Sequence, residues 1–198
     1  MASRIGKYKV SKKESEISLV DGGSAKGLLK LDGNTGLSAG TGITSGTGTV
    51  YKSWVNHIGN AIIETNILMD LTGLASTAAN DIIGKADTAN SHIGQVTASV
   101  TGTIFGATIK CFETPAGGDP DINLAFADES TLAENAALSS GTNNGTIIDS
   151  GDLSAGSVTA GGASVPAANQ FLYLVSGAAT NADYTAGKLL IELMGYEA

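Results

Sequence analysis

The sequence predicts an all-β protein, a β-sandwich or jelly roll of eight to ten short strands with an extended N-terminal arm. Three observations predict it. Twenty-seven glycines against three prolines scatter turns along 198 residues. The apolar residues between the turns are mostly small or β-branched, a composition that suits a pleated surface. The longest periodic runs alternate with period two. One domain of this class fits the length. Charged residues reach only 15% of the chain and aromatic ones 5%, against roughly 25% charged in ordinary globular domains. Ser, Thr, Asn and Gly must therefore carry the polar surface.

Residues 1–31 read as a basic arm. Through Lys30, seven basic residues (Arg4, Lys7, Lys9, Lys12, Lys13, Lys26 and Lys30) stand against three acidic ones (Glu14, Glu16 and Asp21), a net of +4. With −8 for the whole chain, residues 31–198 carry −12. Such asymmetry suits an arm that contacts an anionic surface, so these seven residues and Tyr8 form the candidate partner-binding set. Within the arm, Ile17 to Val20 and Gly27 to Leu31 flank the turn Asp21-Gly22-Gly23 as a hairpin. Residues 32–49, nearly all Gly, Ser, Thr and Asn, read as a linker.

Residues 50–198 form the predicted body. After Val50 to Val55, the face Ile63, Thr65, Ile67, Met69 and Leu71 alternates with Glu64, Asn66, Leu68 and Asp70, as in a half-buried strand. A second alternation from Ile93 to Phe112 breaks near Gly102 and places Phe105, Ala107, Ile109 and Cys111 on one face. Residues 114–120 form a turn and 121–127 a strand. Ser130 to Leu138 suggests a short helix. Strands follow at 146–149 and 153–159, and Lys188 to Met194 closes the body. Phe171 to Val175 is apolar on both faces, so its own fold or a neighbour must cover both sides.

The residue stock argues against catalysis. His57 and His92 lack metal-ligand spacing, and Cys111 falls on an apolar face, where a thiol acts as a small hydrophobe. A lone cysteine excludes an intramolecular disulfide. No phosphate-cradling loop or nucleophile elbow occurs. The cluster Asp119, Asp121, Asp128 and Glu129 offers oxygen ligands for a hard cation such as Ca²⁺; a solvated turn is the preferred reading. No catalytic residue and no cofactor is expected. An acidic body argues against a nucleic-acid partner. A charged N-terminus without an apolar run argues against a signal peptide, and no apolar stretch is long enough for a membrane helix.

The stretch GTIFGATIKCFETPAGGDPDINLAFADE from Gly102 to Glu129, with ILMDLTGLAS and NDIIG before it and KLLIELMGYE at the end, resembles small virion proteins of marine tailed bacteriophages, cyanophages included. The resemblance covers roughly residues 50–198 and is one of pattern rather than of any catalytic motif. It implies a capsid decoration or cement protein made in the bacterial host cytoplasm and seated on the outer capsid surface. The implied partners are the major capsid protein and two further copies of the chain, as a homotrimer. The Gly-, Ser- and Thr-rich composition is also similar to that of phage tail fibres and adhesins, the first alternative. A carbohydrate-processing enzyme is the alternative of another class, disfavoured by the scarcity of aromatic residues for stacking sugars.

Overall fold

A computed structural model describes residues 36–59 and 61–197 in full and, ahead of them, the backbone of four strands within 3–30. These strands, β1 (Ser3–Ile5), β2 (Tyr8–Lys13), β3 (Glu16–Asp21) and β4 (Ser24–Lys30), pair antiparallel in sequence order. The predicted hairpin is the β3–β4 pair. The strands before it, read from sequence as an extended arm, are extended locally but paired, β1 with β2 and β2 with β3. Of the candidate partner-binding residues, Arg4, Tyr8, Lys9, Lys12, Lys13, Lys26 and Lys30 fall within these strands, while Lys7 lies outside the described residues, as do all eight side chains.

The predicted linker over 32–49 is, from Gly36 onward, part of the body. Leu37 and Ile43 are buried in its core, Ile43 on the single helical turn α1 (Thr41–Thr44). The backbone is tied down by bonds from Gly40 N–H to the His92 carbonyl (2.9 Å), from Gly42 N–H to Asn90 (3.0 Å) and from Lys85 N–H to Gly42 (2.6 Å). Here glycine serves close approach rather than flexibility. A Cβ on Gly40 would lie 2.0 Å from the Asn90 carbonyl oxygen, and one on Gly42 would lie 2.1 Å from Ser91 Oγ.

The body is almost entirely β, with every strand pair antiparallel. In chain order its strands are β5 (Val50–Ile58), β6 (Ile62–Asp70), β7 (Ala75–Ser76), β8 (Gly94–Gln95), β9 (Thr103–Ala116), β10 (Ile122–Ala127), β11 (Gly145–Ile148), β12 (Val158–Gly161), β13 (Phe171–Ser176), β14 (Ala182–Asp183) and β15 (Ala186–Tyr196). A five-stranded sheet runs β12-β9-β15-β6-β5 and a four-stranded sheet runs β11-β10-β13-β8; β7 and β14 form a small ribbon. The inner faces of the two larger sheets share one core, which joins Ile67, Ile109 and Ile191 to Leu124, Leu172 and Leu174. The arrangement is sandwich-like, as the alternation predicts.

The predicted inward face of β6 is buried from Ile63 to Met69 and on to Leu71 beyond it. Asn66, on the opposite face, is buried as well, beside its cross-strand neighbours Trp54 and Glu192. The helix predicted over 130–138 does not form; among these residues there is only the start of a 3₁₀ turn at Leu138–Ser140. The backbone groups that a helix would use are taken from outside: the Leu132 and Ala136 carbonyls accept Ser91 and Ile82 N–H, and Asn135 N–H donates to Ile82. This segment instead lies over the outer face of the four-stranded sheet.

Candidate docking face

The two sheets differ in what covers their outer faces. On the four-stranded sheet, Ala125, Ala127, Tyr173 and Val175 point away from the shared core into a second apolar cluster with Ile82 and Leu138. Residues 80–91 and 129–140 roof this cluster and bond to one another and to the sheet, as in the bond from Ile83 N–H to the Leu174 carbonyl (2.9 Å). Leu172 to Val175 are thus buried by their own chain on both faces of the sheet, with Phe171 partly exposed at the strand's start.

The five-stranded sheet has no such roof among the described residues, and its outer face carries large apolar side chains in the open. Phe105 is 51% exposed, Phe112 57%, Val158 62% and Tyr196 43%. Leu68, Leu190 and Met194 lie half-buried between them on the central strands. Full burial of such a side chain from water is worth about 1.5–3 kcal/mol, and covering the exposed half of Phe105 or Phe112 roughly half of that.

Two bulges in β9 build this face. Met194 pairs with Gly106 and the next residue, Gly195, with Ile104, so Phe105 is an extra residue on its strand. Leu189 pairs with Cys111 and Lys188 with Glu113, which leaves Phe112 extra in the same way. A bulge re-aims the side chains around it. The alternation that predicts Phe105 inside is broken at that residue, Ile104 takes the core position, and Phe105 turns outward. Its ring meets that of Tyr196 at 6.5 Å between centroids, tilted by 32°. The glycine beside Phe105 is the sequence signal for the bulge, since an isolated Gly in a strand often marks one.

Polar ladders cross the same face. Lys110 Nζ meets Glu192 Oε1 at 2.8 Å, and Lys188 bridges Glu113 and, at 3.6 Å, Asp70. Asn66 and Asn56 each donate to Glu64 Oε1, at 2.8 and 3.3 Å. Burial works to raise the Asp70 carboxyl, but hydrogen bonds from Thr72 and the Lys188 charge outweigh it and hold the group below its ordinary value. The bond to Glu113, with Asp70 nearby, holds the Lys188 ammonium above its own. With Lys110 and Lys188 each paired to a carboxylate, the face presents apolar patches separated by partly neutralised ladders, a composition matched to another protein surface.

The residues weighed for chemistry stand apart. Cys111 Sγ donates to the Glu113 carbonyl inside the core, and burial raises its thiol. It shares a cross-strand row with Tyr51, six residues along β5 from His57, or about 20 Å at ~3.3 Å per residue. His57 Nδ1 lies 3.6 Å from Glu197. His92 packs on Phe171 at 5.0 Å, beside a cleft of about 350 Å³ lined by Leu37, Val100 and Thr97; burial lowers its imidazole, and its enclosed Nδ1 has no partner among the described residues.

The four carboxylates weighed for a cation split into two pairs at opposite ends of β10. Asp119 is buried and accepts N–H bonds from Asp121 (3.1 Å) and Ala178 (2.7 Å). Glu129 accepts Thr142 N–H and Oγ, while Asp128 accepts Asn143 and Gln170. Burial, with Asp119, Asp149 and Asp152 nearby, raises Asp121. Among the described residues no three His, Cys, Asp or Glu side chains are arranged to hold a metal ion, and no helix is long and apolar enough to cross a membrane. No family model, curated protein or solved structure matches the chain.

Proposed function

We propose that this chain is a structural protein that acts by docking, with the outer face of its five-stranded sheet seated on another protein. The observation that carries the reading is the unequal covering of the two sheets. One outer face is roofed by the chain's own segments, while the other leaves Phe105, Phe112, Val158 and Tyr196 in the open. An open apolar face of that extent signals an interaction site. The virion-protein resemblance names the occupant: the outer surface of a phage capsid, which the chain decorates and cements. Contacts made only in the assembled state stabilise that state by mass action and need no chemistry.

The basic segment before residue 31 adds a second point of attachment. Its +4 complements an acidic shell protein, and two linked contacts bind more tightly than either alone. The test uses purified undecorated shells. Phe105→Ser and Phe112→Ser, alone and together, should leave the fold intact by circular dichroism, since both side chains are largely exposed. Each should lower the number of bound copies per shell at fixed concentration. If the double variant occupies shells as fully as the natural protein, this face is not the attachment surface. A natural copy number of a few per particle, instead of hundreds, assigns the chain to the tail.

A further inference from the structure

We propose that the roof over the four-stranded sheet is a flap held shut by a proton, with Glu134 as its latch. The device stands independently of the docking role, since it lies on the other sheet.

The roof is two irregular segments tied to each other. Ile82 N–H donates to the Ala136 carbonyl (2.9 Å), Leu138 N–H to Asn80 (2.9 Å) and Glu134 N–H to Thr88 (3.2 Å). The Glu134 side chain adds a further tie, because its Oε2 accepts Asp87 N–H at 3.1 Å. That carboxyl is 3% exposed. The charged groups around it are all of its own sign: Asp87 and Asp81 on the facing segment and Asp183 on β14. Among the described residues no cation pairs with Glu134, and Lys85, on the facing segment, enters no ion pair. A carboxylate enclosed without a counter-charge is costly, and the group escapes the cost by keeping its proton. Burial, with these three carboxylates nearby, raises Glu134 despite the bond from Asp87 N–H.

When the proton leaves, the roof is the part of the fold that yields. It meets the sheet through an isolated bridge, Ile82 with Val175, and not through a ladder. It also holds four non-glycine residues in the left-handed region, Asn80 (φ 66°), Asp87 (57°), Asn90 (60°) and Asn135 (65°). Such backbone persists only where its surroundings enforce it. A lifted flap returns the Glu134 charge to water and bares Ala125, Ala127, Tyr173 and Val175, the apolar outer face of the four-stranded sheet. The sign follows from the raised group. Its contribution to closure is complete below the ordinary glutamate value near 4.3 and is lost as pH rises through the higher value of the closed state. The molecule therefore carries a second apolar face that becomes accessible more often as the proton is lost.

Hydrogen exchange on the full-length protein at about pH 5 and about pH 8, with each rate divided by that of the unstructured chain at the same pH, reads the opening segment by segment. Amides of residues 80–91 and 129–140 should lose about threefold or more of their protection at the higher pH, while those of β6 and β15 keep theirs. Glu134→Gln retains an acceptor for Asp87 N–H and carries no charge at either pH, so its roof should be protected equally at both. Should that variant fail to fold, Asp87→Asn decides. It keeps the backbone N–H, asparagine tolerates the left-handed conformation, and removing the neighbouring charge should shrink the loss. Roof protection of the natural protein that does not change with pH overturns the proposal. So does a loss shared equally by β6 and β15, or one that neither variant reduces.

Discussion

Gly42 packs tightly against residues 89–91, and its replacement separates two accounts of the segment around it by sign. In a free linker, Gly→Ala stabilises by about 0.4–1 kcal/mol because the unfolded chain loses freedom. Here the added methyl meets Ser91 Oγ at 2.1 Å and the Ala89 carbonyl oxygen at 2.9 Å. Gly42→Ala should therefore destabilise the body by about 1–3 kcal/mol, the usual range for overpacking, as a lowered urea midpoint at unchanged slope. His92 supplies a pH-dependent term. Burial against Phe171 lowers its folded imidazole below the ordinary value near 6.5. The unfolded chain takes the proton first, so this contribution is complete above about 6.5 and is lost as pH falls through that value toward the lower folded one. Stability of the natural protein should drop between pH 7 and 5 more steeply than that of His92→Gln, read from urea midpoints at each pH. Asp121 and Glu134 are raised by burial and carry the opposite sign, with stability lost as pH rises through and above the ordinary carboxylate range. Their effect is common to both proteins and cancels in the comparison.

At the scale of the element, what was legible in the sequence was whatever follows one regular period. The face from Ile63 to Leu71 is inward throughout because a one-residue slip would turn all of it to solvent. Leu172 to Val175 is enclosed on both sides, as its unbroken apolar run requires. Misreadings arose where a local interruption decided the outcome. Phe105 reads as a core residue until the bulge inserts it, and only the adjacent Gly106 hints at the break. The segment before Leu138 has helix-forming composition, but Asn80 to Ser91 claims its backbone groups, a long-range effect that propensity does not contain. The Gly-rich run before Val50 misleads for a related reason. Composition does not distinguish glycine kept for mobility from glycine kept for contact; Leu37 and Ile43 were the available sign that this stretch is anchored. The docking face was half legible: Leu68 and Asp70 were placed on the side opposite the core face, while its aromatic centre depended on the bulges.

For the whole molecule, the leading feature is polarity of two kinds: a basic leading segment on an acidic body, and a roofed sheet back to back with an open one. The charge asymmetry was readable from composition and the roof was not, because irregular segments have no period. Since the strands of residues 3–30 pair only with one another, a chain lacking residues 1–30 should still fold, with the body's circular dichroism signal and melting transition retained. Its affinity for shells should fall at low salt and converge with that of the intact chain as salt rises, because exposed charges are screened beyond roughly 8–10 Å at physiological ionic strength. Equal, salt-independent occupancy by both forms removes the basic segment from attachment.

The position of β15 has a consequence in time. β5 and β6 lie on one side of it and β9 and β12 on the other, and the two halves of the sheet meet only through it. Leu189 pairs at once with Met69, 120 residues earlier, and with Cys111, 78 residues earlier. During synthesis the earlier strands therefore wait, unable to close a core, until residues 186–196 emerge and dock between them. Pairings so distant along the chain slow the search, since loop closure must precede any stabilising contact. A ribosome that stops before Ala186 thus releases a chain whose five-stranded sheet, the one that carries the docking face, is still in two halves, so interrupted products do not compete with finished ones for places in an assembly.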